Sequence, residues 1–227
     1  MNDITPTNLT TAGDNVDRNS YSTASISPAA DNLILAWVYT IAASTPNTPT
    51  ASGNGLTWQQ VNTILDTSNG LRRITLFRAM GASPSSGAVT FDFAGQTQTG
   101  CTWSVIQYDD VNTGGTNGSA AIVQSATANP TGSVSSITVT LGAFSSTANA
   151  TAGGFGYPLN NGNGTNGSGF TQTGEIFQGS PNQATYSEFR SDNSTTVDMS
   201  IGASSVPMCG IAVEILPKSK GNLLTFF

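Results

Sequence analysis

Carboxylates are the residues best able to carry chemistry in this 227-residue chain, because the sequence contains no histidine. Without histidine, Ser-His-Asp and Cys-His catalysis are ruled out, and the commonest metal ligand is missing. The two cysteines, Cys101 and Cys209, do not make a zinc site by themselves. A pair of carboxylates would still suit a glycosidase. We nevertheless predict a protein that is not an enzyme and has no cofactor.

Two Arg/Asp pairs recur in the two halves of the sequence. Arg78 and Asp92 form one pair, and Arg190 and Asp198 form the other. In each half the two residues lie on consecutive strands of a predicted hairpin. We interpret them as structural cross-strand ion pairs, each worth roughly 0.2–1 kcal/mol, rather than as catalytic residues.

Two other acidic segments are candidates for calcium ligands, because calcium prefers oxygen donors. One is Asp109-Asp110, at a predicted strand end, and the other is the segment from Asp14 to Asp17. Neither has EF-hand spacing, so we interpret both as solvated loop carboxylates and predict no metal site.

The three tryptophans could form a platform on which sugar rings stack. Trp37 and Trp103 lie among apolar neighbours, so we predict that both are buried in the core. Trp58 is followed by Gln59 and Gln60 and remains a candidate sugar contact.

Overall composition restricts the partners. Charged residues make up only 9% of the chain and the net charge is −6, so no basic patch for nucleic acid is expected. No apolar run approaches the roughly 20 residues of a membrane span. The N-terminal sequence has no basic or apolar segment typical of a signal peptide, which predicts synthesis in the cytoplasm.

Short segments of alternating or β-branched residues predict an all-β protein. Three consecutive strands are expected at 72–80, 87–93 and 101–109, each bounded by Gly, Ser or Pro. The segment 32–42 is almost continuously apolar, which predicts a central strand covered on both faces. We predict an antiparallel β-sandwich, jelly-roll-like.

Four blocks recur in the same order and suggest an internal duplication. They pair Gly53–Thr57 with Gly167–Thr171, Phe77-Arg78 with Phe189-Arg190, Thr90–Phe93 with Thr196–Met199, and Cys101–Val105 with Cys209–Val213. The predicted organisation is an N-terminal arm (1–19), a first repeat (20–111), a connection (112–133), a second repeat (134–217) and a C-terminal arm (218–227). The counterpart of the central strand, 148–157, is poor in large side chains, which favours one merged unit over two sandwiches. For the cysteines, two buried thiols and a disulfide between the repeats both remain open.

Several of these motifs resemble a β-sandwich repeat family of tailed-bacteriophage virion structural proteins. The resemblance lies in GNGLTW at 53–58, in 72–93, in GCTWSVIQYDDV at 100–111 and in GIAVEI at 210–215. It implies a virion protein assembled in the host cytoplasm, either a capsid decoration (cement) protein or a tail or fibre component. The implied partners are the major capsid protein or other virion subunits, with several copies on the particle. These are packing and turn motifs, so no catalytic residue is implied.

The C-terminal arm is the predicted assembly interface. It contains the only two lysines and four large apolar residues: Lys218, Lys220, Leu223, Leu224, Phe226 and Phe227. Burying each apolar side chain would contribute roughly 1.5–3 kcal/mol. The alternative hypothesis is a carbohydrate-binding or adhesion module that uses Trp58 and the Asn/Gly-rich loops.

Overall fold

The computed structural model describes residues 4–66, 68, 70–202 and 204–219. Within them the chain forms sixteen strands and one short 3₁₀ helix, Ser119–Ala121. In the first half the strands are β1 (Pro6–Asp14), β2 (Ser20–Ser22), β3 (Leu33–Ile41), β4 (Thr50–Gly53), β5 (Gln59–Leu65), β6 (Arg72–Ala79), β7 (Val89–Asp92) and β8 (Gly100–Tyr108). In the second half they are β9 (Ile122–Ala128), β10 (Ser136–Thr140), β11 (Ala150–Tyr157), β12 (Thr165–Asn166), β13 (Thr171–Gln178), β14 (Gln183–Arg190), β15 (Thr196–Ser200) and β16 (Cys209–Ile215).

The strands form four antiparallel sheets, two in each half. The first half has a five-stranded sheet of order β1-β8-β3-β6-β5 and a three-stranded sheet of order β2-β7-β4. The second half has a five-stranded sheet β9-β16-β11-β14-β13 and a three-stranded sheet β10-β15-β12. The predicted all-β antiparallel sandwich class is therefore confirmed.

Strand β3 is central because both of its faces are apolar. Leu35, Trp37 and Tyr39 point to one side and pack with residues of the second half. Ile34 and Val38 point to the other side and pack within the first half. All nine residues of the strand are buried, which explains its nearly continuous apolar sequence.

The sheets stack in four layers around three apolar cores. One core lies inside each half, between its five-stranded and three-stranded sheets. The third core lies between the two five-stranded sheets and joins side chains from β3, β6 and β8 with side chains from β11, β14 and β16. The two halves therefore pack back to back through a shared core.

The glycines of β11 explain why the second half has so few large side chains there. A Cβ atom on Gly154 would lie 2.0 Å from the Trp37 ring, and one on Gly156 would lie 2.1 Å from the Tyr39 ring. Real side chains do not approach this closely. The bare backbone of β11 therefore provides the space for two large rings of the other half.

The two halves have the same strand order, as the duplication hypothesis requires. Phe77 lies on β6 and Phe189 on β14, and these strands hold corresponding positions in their sheets. A turn before each sheet edge also corresponds: Leu56 N–H donates to Gly53 O, and Phe170 N–H donates to Gly167 O, both at 3.1 Å. A common origin of the halves stays an interpretation of this similarity.

Two of the four matched sequence blocks are out of register at the level of single residues. Cys101 and Phe77 face the core inside the first half, whereas Cys209 and Phe189 face the core between the halves. Successive strand residues point to opposite faces, so an alignment shifted by one residue reverses every side chain. The strands correspond, but these residue pairs do not.

The arm and the connection predicted at 1–19 and 112–133 contain strands that the sequence did not reveal. Residues 6–14 form β1, which pairs with β8, and residues 122–128 form β9, which pairs with β16. These edge strands were missed because neither shows a regular alternation of large apolar and polar residues. In β1, for example, Thr11 Oγ1 lies 3.2 Å from Ser104 Oγ, and Asn8 Nδ2 donates to Thr173 O at 2.6 Å. The first of these contacts lies within the first half and the second reaches the second half, so polar contacts contribute where apolar burial is small.

All four edge strands of the five-stranded sheets carry a β-bulge. The unpaired residue is Leu9 in β1, Val61 in β5, Val123 in β9 and Thr173 in β13. Bulges twist an edge and interrupt its row of hydrogen-bonding groups, which hinders pairing with a strand of another molecule.

Candidate functional site

Trp58 is not an exposed sugar platform. Its side chain belongs to the core of the first half and is only 8% exposed. Its indole N–H donates to Gly53 O at 3.2 Å, so the ring fixes the turn before β5. The predicted burial of Trp37 and Trp103 is confirmed, with exposures of 0% and 3%.

The ion pair predicted between Arg78 and Asp92 is not formed. Arg78 lies on β6 of the five-stranded sheet, whereas Asp92 lies on β7 of the three-stranded sheet. Arg78 Nε instead donates to Asn117 O at 3.3 Å, and Asp92 Oδ1 accepts the Ala94 N–H at 2.6 Å. The prediction was wrong because the chain crosses between sheets after β6 instead of forming a hairpin.

The same correction applies in the second half. Arg190 pairs with Asp192, with Nη2 3.0 Å from Oδ2, and not with Asp198 on β15. Arg190 Nη1 also donates to Ser168 O at 2.9 Å, and the guanidinium carbon lies 5.9 Å from the centroid of the Phe170 ring. The hydrogen bond from Arg190 lowers the pKa of the Asp192 carboxyl.

The acidic segments considered for calcium are used for other contacts. Asp14 Oδ2 lies 2.8 Å from Arg18 Nε. Asp109 Oδ1 accepts the backbone N–H and the hydroxyl of Thr5, both at 2.7 Å. Among the residues that the structure describes, no group of three or more Asp, Glu, Cys or His side chains is placed to hold a metal ion.

The N-terminal and C-terminal parts of the described chain meet at one corner of the body. The Asp109 carboxylate accepts the backbone N–H of Thr5. The carbonyl of Asp110, the residue that follows Asp109, accepts the backbone N–H of Lys218 at 2.7 Å. Lys218 is exposed at this corner. The rest of the predicted assembly interface lies outside the described residues: Lys220, Leu223, Leu224, Phe226 and Phe227.

A shallow cleft of about 300 Å³ lies beside this corner. Its lining includes Ile4, Thr5, Phe189 and Arg190. The Arg190 guanidinium is already bonded to Asp192 and to Ser168 O, so the cleft presents little free hydrogen-bonding capacity to a ligand.

The two cysteines are separate, buried thiols. Both are free, and they belong to different cores, Cys101 inside the first half and Cys209 between the halves. Burial raises the pKa of both thiols. Because the thiolate is the reactive form, these cysteines are unsuited to redox or nucleophilic chemistry.

Two fully buried glutamates were missed by sequence reasoning. Glu214 accepts hydrogen bonds from the side-chain amides of Asn149 and Gln124. Glu188, on β14, has one carboxylate oxygen 3.3 Å from the Gly167 N–H and the other without a partner. Burial raises the pKa of Glu188 to about 8, and the nearby charge of Asp198 adds to the increase. The sequence did contain a signal for the burial of Glu188, because Glu188 lies two residues after Tyr186 and therefore on the same face of strand β14.

The Asn/Gly-rich loop at 158–164 is fastened to β13 by Glu175. One carboxylate oxygen of Glu175 accepts the Tyr157 hydroxyl at 3.1 Å and the Gly164 N–H at 3.0 Å, and the other accepts the Gln172 amide at 3.2 Å. Two residues further along β13, Phe177 is 45% exposed. The Asn/Gly-rich loops were part of the carbohydrate-binding hypothesis drawn from the sequence, but Phe177 was not.

No helix in the described part of the chain has the length and apolar character needed to cross a membrane. Comparisons with protein-family models, with curated proteins and with solved structures gave no match for this chain.

Proposed function

We propose that this protein is a non-enzymatic structural component of a bacteriophage particle, a decoration (cement) protein that binds the outside of the head. The sequence motifs that resemble virion β-sandwich repeats support the proposal. The partners are the major capsid protein or neighbouring subunits, with several copies of the chain on one particle.

The observation that carries the proposal is the common corner of the chain ends. Thr5 and Lys218 are bonded to consecutive residues, Asp109 and Asp110. One corner of the body therefore holds both ends of the described chain. A terminus usually frays unless something holds it. A fixed attachment point at the end of the chain suits a protein that is anchored to a shell through its C-terminal residues.

The shape of the body agrees with a passive structural role. Three separate apolar cores lie between the four layers. Bulges interrupt the hydrogen-bonding rows at the four outer edges of the five-stranded sheets. Bulges of this kind hinder edge-to-edge pairing with neighbouring molecules. Attachment then depends on the arm rather than on sheet extension.

The test is to delete residues 221–227 and to measure co-sedimentation with purified heads of the phage that encodes the chain. A second variant keeps the full length and replaces Leu223, Leu224, Phe226 and Phe227 by Ser. We expect both variants to lose binding while their far-UV circular dichroism and thermal unfolding midpoint stay those of the native protein.

Retention of head binding by both variants would contradict the arm as the attachment. A clear drop of the unfolding midpoint would show that the segment stabilises its own body. If the intact protein does not sediment with heads at all, the proposal of a decoration protein is refuted.

A further inference from the structure

One surface of the second half combines an exposed aromatic ring with three exposed asparagines of the adjoining loop. We define the Phe177 patch as Phe177 of β13 together with Asn160, Asn161 and Asn163 of the adjoining loop. We propose that the Phe177 patch binds neutral pyranose sugars. The inference does not depend on the proposed role in a virion.

The ring and the loop are in direct proximity. A Cβ atom on Gly162 would lie 2.8 Å from Cε1 of Phe177, so the loop backbone runs against one edge of the ring. The ring is nevertheless 45% exposed, although it is apolar. Asn161 and Asn163 flank Gly162 in the sequence, so the loop brings these asparagines into the neighbourhood of an exposed aromatic ring.

The asparagine side chains have unused hydrogen-bonding capacity. Asn160, Asn161 and Asn163 are exposed, and within the described part of the chain their side-chain amides have no hydrogen-bond partner. Each amide offers two N–H donors and a carbonyl acceptor. A sugar hydroxyl needs both a donor and an acceptor, and neighbouring amides provide them side by side.

The loop is held in place before any ligand arrives. Glu175 bonds to the Gly164 N–H and to the Tyr157 hydroxyl, and Asn163 N–H donates to Asn161 O at 3.2 Å. Preorganisation lowers the entropy lost on binding. A loop whose two ends are fixed by hydrogen bonds loses less conformational entropy when a ligand binds than an unrestrained loop would.

Charge selects the class of sugar. The chain carries a net charge of −6, and the carboxylate of Glu175 lies two residues from Phe177 on the same strand. An anionic sugar would be repelled, whereas a neutral pyranose would place its C–H face on the ring and its hydroxyls on the amides. Neutral hexoses and N-acetylhexosamines fit this surface.

The experiment is an NMR titration of the full-length, ¹⁵N-labelled protein with chitotriose, maltotriose and cellotriose. We expect at least one of these to shift backbone amide signals between residues 158 and 179, and few elsewhere. Phe177→Ala should weaken that binding about tenfold, the size expected for the loss of one stacked aromatic ring. Phe177→Trp should preserve it.

Val123→Ala is the matched control. Val123 is 44% exposed and lies on β9, the opposite edge strand of the same sheet, so its removal should leave the affinity unchanged. The Gly164 amide signal shows whether the loop keeps its hydrogen bond to Glu175 in every variant. The proposal is overturned if no trisaccharide shifts these amides, or if Phe177→Ala binds as tightly as the native protein.

Discussion

Replacing Glu188 by glutamine should make the stability of this protein nearly independent of pH between 5 and 8. Glu188 is fully buried on β14, and one of its carboxylate oxygens has no hydrogen-bond partner. Burial raises its pKa in the folded protein from 4.5 to about 8. Its protonated form is therefore the one that the fold accommodates.

The sign and size of the effect follow from proton linkage. Between pH 4.5 and 8 the folded protein holds a proton on Glu188 that the unfolded chain has released, so the free energy of unfolding falls as pH rises. The slope is about 1.4 kcal/mol per pH unit, which gives a total loss of at most about 5 kcal/mol by pH 8. A glutamine side chain carries no charge at any pH, so Glu188→Gln should gain stability at pH 8 relative to the native protein and little at pH 5.

The chain offers an unusually clear window for this measurement, because it contains no histidine. Urea unfolding at half-unit steps from pH 5 to pH 8.5 would give the free energy of unfolding of both proteins. Asp198→Asn is a second test, since the charge of Asp198 raises the pKa of Glu188. In that variant the free energy of unfolding should stop falling at a lower pH than in the native protein. Parallel pH profiles for the native protein and Glu188→Gln would refute the reasoning.

Two further predictions concern packing between the halves and the thiols. Gly154→Ala should destabilise the protein by about 1–3 kcal/mol, because its methyl group would collide with the Trp37 ring. Gly87→Ala is the control, because a methyl group there meets no atom closer than 4.0 Å. Equal unfolding midpoints of the two variants would contradict the close packing of Gly154 against Trp37. Cys101 and Cys209 should react with a thiol reagent only as fast as the protein unfolds, because both are buried with raised pKa values; rapid labelling of the native protein would show that one core opens locally.

The sequence predicted those strands whose faces are clearly apolar or clearly polar. The continuous apolar run of β3 indicated a strand covered on both sides, and β7 aligned correctly with β15 because Phe91 and Val197 each face the core of their own half. Strand β1 escaped detection because its polar side chains are used in contacts with distant segments, Thr11 with Ser104 of β8 and Asn8 with the Thr173 carbonyl of the second half. Such contacts between distant segments leave no local periodicity.

The candidate sites were less predictable than the fold. Trp58 next to two glutamines suggested exposure, but its ring fills the core and its N–H is used by Gly53. The predicted Arg78–Asp92 pair assumed a hairpin, whereas the chain changes sheets between the two residues. In both cases the local residue types were compatible with two environments, and the tertiary path decided between them.

The shared core has a consequence for synthesis on the ribosome. Trp37 and Tyr39 are covered by β11, and the rest of that apolar surface needs β14 and β16. The first half is complete at residue 108, but β16 ends only at residue 215. At about 5–20 residues per second, the nascent first half waits roughly 5–20 s with an uncovered aromatic surface. During this interval the uncovered apolar surface of the first half is available for a chaperone to bind. Codons that slow translation between the halves would lengthen the interval.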